Sequence, residues 1–145
     1  MIKDNNRIHS THLRWSNALS VGSDEIDADH RKLIGLLNEM SRAKTYAQVV
    51  RLFDTISRHL DEHFAKEESC QATLNYAGYE WHRGEHRQMA RRIKAIGRVH
   101  LARLARQHPE RGAAMVRDLM ADCIVSHVLT ADRGLEEIFR RKQAS

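Results

Sequence analysis

Residues 45–70 read TYAQVVRLFDTISRHLDEHFAKEESC and decide the fold. Apolar side chains recur along this stretch at alternating steps of four and three, the period of a helix face that packs into a core. The face consists of Val49, Phe53, Ile56 and Leu60, and the same steps continue to His63 and Glu67. The stretch therefore predicts a core-facing helix whose last turns place polar side chains where apolar ones belong.

Three further segments show the same helical period. One reads SDEIDADHRKLIGLLNEM over residues 23–40, with Ser23 as the N-cap and acidic residues in the first turn. The third helix begins near Tyr79 and ends before Pro109, because proline cannot continue a helix interior. The fourth is predicted over roughly 110–141.

The four helices with short connections predict an all-α protein. We expect an antiparallel up-down-up-down four-helix bundle over residues 23–141, preceded by an irregular N-terminal arm over residues 1–22. No alternating β-branched run bounded by turn signals is present, so no strand is predicted.

The composition is that of an ordinary soluble globular domain, with 41% hydrophobic and 30% charged residues. No apolar run is long enough to span a membrane and no signal peptide is recognisable, so we expect a cytoplasmic protein without a membrane partner. The net charge is +5, but the basic residues alternate with apolar ones. They favour a solvated helix face over a nucleic-acid site. Cys70 and Cys123 form no CxxC motif.

Each predicted helix carries histidine on its core face. Buried imidazoles and carboxylates without partners cost several kcal/mol each, and a shared metal ion removes that cost. In an antiparallel bundle these positions lie at one level; they are His30, His63, Glu67, His82, His86 and His127. Asp132 follows His127 by five residues, about 140° around an ideal helix. Only a π-bulge or an oblique reach would bring it inward, so spacing alone leaves its role open.

The combined pattern resembles the hemerythrin family, and most closely its single-domain bacterial members. The matching motifs run in order from about residue 13 to residue 140, with Trp15 in the segment that leads into the first helix. They are D-x-x-H (Asp27, His30), H-F-x-x-E-E (His63 to Glu68), H-x-x-x-H (His82, His86) and H-x-x-x-x-D (His127 to Asp132).

This resemblance implies a di-iron centre with an oxo or hydroxo bridge. It assigns His82, His86 and His127 to one iron and His30 and His63 to the other, with Glu67 and Asp132 bridging both. The second iron then has an open position, at which the family binds dioxygen. The expected function is reversible dioxygen binding for storage or delivery, without enzymatic turnover. Ferritin-like oxidases, by contrast, use E-x-x-H pairs, which are absent here.

Other functions stay open at this point. The same di-iron site would serve an O2, NO or redox sensor domain of a signalling protein, whose protein partner the sequence does not specify. True turnover of iron or nitric oxide is a weaker option. The string H-R-G-E-H at residues 82–86 can mark a zinc protease, but that leaves the other core histidines unexplained. Glu85 is therefore expected to face solvent. His59 precedes His63 by one turn and could support that ligand from behind, but a surface position is the expectation for it.

One position departs from the family pattern. Where the resemblance implies tryptophan four residues before the last histidine, this chain has Cys123, followed by Ile124. We expect both residues at the dioxygen pocket, which the smaller thiol would widen. The alternative is that Cys123 packs as a small hydrophobic residue.

Overall fold

The computed structural model describes residues 12–145, so residues 1–11 of the predicted arm lie outside the described part of the chain. Four long helices form the bundle: α1 (Asp24–Met40), α2 (Tyr46–Thr73), α3 (Tyr79–Ile96) and α4 (Pro109–Thr130). A π-helical segment (Gly97–Ala105) extends α3, and short 3-10 helices occupy Asn17–Leu19 and Asp132–Leu135. The chain ends in α5 (Glu136–Ala144). Between residues 12 and 145 there is no strand, and no helix has the length and apolar character needed to cross a lipid bilayer.

Local sequence explains where the helices begin. The Ser23 side chain accepts a hydrogen bond from the backbone N–H of Ile26, as predicted for an N-cap. Thr45 and Gln48 form a reciprocal capping box at the start of α2. Pro109 occupies the first turn of α4, where its missing N–H costs nothing.

The helices pack in the predicted up-down-up-down order. α1 contacts α2 and α4, and α3 contacts the same two helices, which places the four at the corners of a square. The interior between them is apolar along most of its length, and its fully buried members include Leu37, Met40, Val49, Ile56, Val116 and Met120. The fold class is confirmed, while the bundle limits at residues 23 and 141 stay a prediction.

The third helix changes its geometry at Gly97. Continued α-helical spacing from Ile93 and Ile96 would bring His100 and Leu104 onto the core face, but the π-helical turns leave both half-buried and bury Ala105 instead. Ala105 lies against Gly112 of α4, where an added Cβ would stand 2.3 Å from the Ala105 Cα. Gly112 thus allows the close approach of the two segments.

The fourth helix is not continuous, and the prediction of one helix over 110–141 was wrong. α4 ends at Thr130, and the chain makes a tighter 3-10 turn over Asp132–Leu135 before α5 begins. A 3-10 turn has three residues per turn, which changes the direction of the side chains that follow. Asp132 is the first residue of this turn, no π-helical residue lies between His127 and Asp132, and the Asp132 side chain has no exposed surface.

A small apolar cluster covers this end of the bundle. Val21, Ile26, Leu135 and Phe139 are its buried members. The Gln143 amide donates to the backbone carbonyl of Gly22 at 2.8 Å, which ties α5 to the segment before α1. The cluster therefore separates the level of the core histidines and carboxylates from solvent at this end of the bundle.

Candidate metal centre

The seven residues that the sequence singled out converge at one level of the bundle. Each of their side chains is 8% exposed or less. They come from five elements: His30 from α1, His63 and Glu67 from α2, His82 and His86 from α3, His127 from α4, and Asp132 from the 3-10 turn. The antiparallel order of the helices produces this meeting, because it sets the start of α1 and α3 level with the end of α2 and α4.

The cluster divides into two groups of potential metal ligands, within each of which the ligand atoms all lie no more than 4.8 Å apart. One group contains Glu67, His82, His86, His127 and Asp132, and the other contains His30, His63, Glu67 and Asp132. Glu67 and Asp132 belong to both. This division has the form that the family resemblance implied, while the role of each residue as a ligand stays a prediction.

Asp132 spans the two groups with its two carboxylate oxygens. Its Oδ1 lies 2.9 Å from His82 Nε2 and 2.8 Å from His127 Nε2. Its Oδ2 faces the other group, 3.2 Å from His30 Nε2. Glu67 Oε2 makes the equivalent approach to His86 Nε2, at 3.0 Å. Two carboxylates between two clusters of imidazoles are the arrangement that bridges a pair of metal ions.

The donor atoms fit metal ions better than they fit one another. Two ligand atoms bound to one metal ion at about 2.1 Å and at right angles lie about 3 Å apart. The donor atoms of this cluster have that separation, at 2.8–3.2 Å. Yet His86 Nε2, Asp132 Oδ2 and both Glu67 oxygens have no hydrogen-bond partner within the described residues. The Nε2 atoms of His30 and His63 face each other at 3.2 Å, where at most one proton can lie between them. Bound metal ions would satisfy all of these atoms.

Charge is already concentrated at the centre. Burial alone would lower the pKa of His82, but its hydrogen bond with Asp132 and the nearby carboxylate of Glu67 outweigh burial and raise that pKa to about 9. Burial raises the pKa of Asp132, but the close imidazoles of His127, His30 and His82 outweigh burial and hold that pKa well below its ordinary value. Without metal, His82 is thus an imidazolium paired with the carboxylates of Asp132 and Glu67.

Carboxylates orient two of the histidines through their Nδ1 atoms, on the side of the ring that faces away from the cluster. His63 Nδ1 lies 3.1 Å from Asp29 Oδ2, which also accepts from Lys66 Nζ at 2.9 Å. Burial raises the pKa of Asp29, but the contacts with Lys66 and His63 outweigh it and leave the pKa lowered. His86 Nδ1 lies 2.8 Å from Glu68 Oε1. Each carboxylate fixes a ring so that its Nε2 points into the cluster.

Phe64 and His59 complete the surroundings. The Phe64 ring stacks on the His86 imidazole, with centroids 4.1 Å apart and an interplanar angle of 15°. His59 is buried, and its Nε2 lies 3.3 Å from the backbone carbonyl of Asp29. The expectation of a surface position for His59 was therefore wrong, because the ring is drawn inward by the α1 backbone.

Sequence reasoning gave no role to Asp29, Glu68 or Phe64. Each directly adjoins a predicted ligand in the chain, at His30, Glu67 and His63 respectively. Their adjacency to predicted ligands was the available signal. Helix spacing, however, places immediate neighbours on different faces, so the sequence gave no reason to expect these residues beside a ligand of another helix. The Asp27 of the first motif instead holds the lead-in segment, because its carboxylate accepts from Val21 N at 2.9 Å and from Ser20 Oγ.

The positions expected at the dioxygen pocket lie in different environments. Ile124 is buried in the main core. Cys123 is half-buried and lines a cavity of about 210 Å³ between α3 and α4, together with His127, Glu85 and Arg92. Burial raises the pKa of the Cys123 thiol. The structure thus sets Cys123 beside the three-histidine group, and its part in dioxygen binding stays a prediction.

A four-helix bundle with a buried cluster of histidines and carboxylates able to hold metal defines the class of protein. The chain belongs to the hemerythrin family, because the family model described as "Hemerythrin HHE cation binding domain" matches residues 21–138.

Relatives named Bacteriohemerythrin agree with this assignment. The protein of Ralstonia nicotianae is 32% identical over 74 residues, which are 51% of this chain and 53% of that protein. Two other relatives match over more of the chain. The protein of Stenotrophomonas maltophilia is 27% identical over 84% of this chain and 78% of the relative. The protein of Pseudomonas paraeruginosa is 23% identical over 92% of this chain and 85% of the relative.

Proposed function

We propose that this protein holds two iron ions, linked by an oxo or hydroxo bridge, and binds dioxygen reversibly at one of them. The observation that supports the proposal most directly is the division of seven buried donors into two groups that share Glu67 and Asp132. A pair of ions held by imidazoles and two common carboxylates is the centre that the family resemblance implies.

The two groups are unequal. One offers three imidazoles and two carboxylates, and the other offers two imidazoles and the same two carboxylates. With one shared solvent-derived bridge, the larger group would fill all six positions of an octahedral ion, whereas the smaller group would leave one position free. We therefore assign the exogenous ligand to the site of His30 and His63.

When bound, the ferrous ions would supply the electrons and the free coordination position that dioxygen needs. The protein supplies the geometry and the exclusion of water. Asp29 and Glu68 orient the imidazoles of His63 and His86 through their Nδ1 atoms. The burial of all seven donors and the packing of Phe64 against His86 keep bulk water away.

A carrier fits this donor set better than an oxidase. Five neutral imidazoles and only two carboxylates give the metal pair a lower negative charge than the carboxylate-rich sites of ferritin-like oxidases. Less anionic surroundings stabilise the highly oxidised iron states of oxidation chemistry less well. We therefore propose storage or delivery of dioxygen, without turnover.

Elemental analysis and optical spectroscopy test the proposal together. Protein loaded anaerobically with Fe(II) should retain about two iron atoms per chain after desalting, since two groups of donors are present. Exposure to oxygen should produce a visible absorption band that disappears again under argon. A single tightly bound zinc with no iron pair would overturn the proposal. So would an iron-loaded protein whose spectrum did not respond to oxygen.

A further inference from the structure

A second cavity, of about 370 Å³, lies between α2 and α3 and has no role in the proposed ligand set. Its walls are largely apolar, formed by Phe53, Leu60, Phe64 and Ile93. Leu60, Phe64 and Ile93 are buried side chains of the main core. The cavity therefore reaches from the helix surface into the bundle interior.

The inner wall of this cavity is shared with the metal centre. The Phe64 ring stacks on His86 at 4.1 Å between centroids. The same ring lies 6.0 Å from the His63 ring and 6.2 Å from the His127 ring. One aromatic side chain thus stands between the cavity and imidazoles from both groups of donors.

The walls of the cavity offer too few polar groups to bind a water molecule in its inner part. A buried water molecule needs two to four polar partners, and the inner part of the cavity offers one hydroxyl, that of Ser57. The Ser57 Oγ atom is itself buried and has no hydrogen-bond partner among residues 12–145. Asp61 and Lys94 also line the cavity, but both are exposed and mark its mouth. A small apolar molecule suits such a space, as engineered apolar cavities of about 150 Å³ bind xenon.

The cavity beside Cys123 has the opposite character. Glu85, Arg92, Asp122 and Ser126 line it, so it suits water and ions. We propose that the α2–α3 cavity is a binding and access site for small apolar gases, with the Phe64 ring as the gate between it and the metal centre. The inference rests on the proposed function only in naming dioxygen as the gas that uses it.

Xenon tests the binding site without reference to iron. Crystals of the full chain held under xenon pressure should show xenon between Phe53, Leu60 and Ile93, in metal-free and iron-loaded protein alike. Ala90→Phe should fill the space from α3 and abolish that xenon peak. An empty α2–α3 cavity under xenon pressure would overturn the proposal, whatever the protein does with oxygen.

Oxygen kinetics test the access route. An obstacle on a route slows arrival and departure by the same factor and leaves the equilibrium constant unchanged. Ala90→Phe should therefore lower the association and dissociation rates of dioxygen by a common, several-fold factor. Ala95→Phe is the matched control, because Ala95 is exposed on the same helix and does not line the cavity.

A second variant protects the kinetic test against misfolding. Ser57→Leu fills the cavity from α2 and replaces a hydroxyl that has no partner, so it should be tolerated and slow both rates in the same way. Rates equal to those of the wild-type protein in both variants would overturn the access route. A wild-type protein that binds xenon here but no dioxygen would overturn the proposed function instead, and leave the gas cavity standing.

Discussion

Replacing Asp132 with alanine removes one of the two carboxylates, Asp132 and Glu67, that both donor groups share. Its two oxygens face His82 and His127 on one side and His30 on the other, at 2.8–3.2 Å. A histidine substitution takes a donor from one group, whereas Asp132→Ala takes a donor from both. We therefore expect this variant to lose the metal pair rather than one ion of it.

The size of the effect follows from the linkage between binding and folding. A metal ion at 100 times its dissociation constant stabilises the folded state by about 2.7 kcal/mol. Two such sites give about 5 kcal/mol, which corresponds to a rise in Tm of about 10–20 °C for a chain of this size. In Asp132→Ala the metal-dependent rise should fall below about 5 °C.

The assay is thermal unfolding followed by circular dichroism, with and without Fe(II), under anaerobic conditions. Subtracting the metal-free Tm of each variant separates metal binding from the variant's own stability. Asp54→Ala is the control, because Asp54 is exposed on α2, outside both donor groups, and forms an ion pair with the exposed Arg58. If Asp132→Ala kept the full metal-dependent rise and two iron atoms per chain, Asp132 would not be a bridging ligand.

Three further outcomes follow from the contacts around the centre. Asp29→Ala should weaken metal affinity by about 10–100-fold, measured by competition with a chelator, because it frees the ring of His63; unchanged affinity would contradict its orienting role. Metal-free protein should lose stability in urea as pH rises from about 6.5 to 9, because folding raises the pKa of His82 to about 9 and its proton is retained only in the folded state; stability that is flat over this range would contradict the imidazolium–carboxylate pairing. Cys123→Trp should slow loss of the oxygenated absorption band by filling the cavity beside His127, at a packing cost of about 1–3 kcal/mol. Cys123→Ser keeps the volume and removes the thiol, so decay rates equal in all three proteins would mean that Cys123 only packs.

The apolar period predicted the bundle because most of its positions are decided by burial alone. Val49, Ile56 and Leu60 recur at the spacing of a helix face and are buried in the structure. The same period located His30, His63 and Glu67, since a polar residue at a core position is conspicuous. The same reasoning located His82 and His86 in α3 and His127 in α4.

What the period did not predict depends on departures from ideal helix geometry. Asp132 lies five residues after His127, is buried, and begins the 3-10 turn at which the fourth helix is interrupted. The family resemblance supplied that residue; the spacing did not. The π-helical turns at Gly97–Ala105 likewise have no signal in the apolar pattern. Contacts between helices, such as that of Asp29 with His63, depend on packing that no local pattern records.

Oxygen titration of the iron-loaded protein tests the central claim most directly. The protein should take up about one dioxygen per two iron atoms, and the absorption band should return to the same height through repeated cycles of oxygen and argon. That result is predicted because an iron ion held by the smaller group of donors, at His30 and His63, would have one coordination position free. Uptake of oxygen that cannot be reversed by argon, or no uptake at all by protein holding two iron atoms, would contradict it.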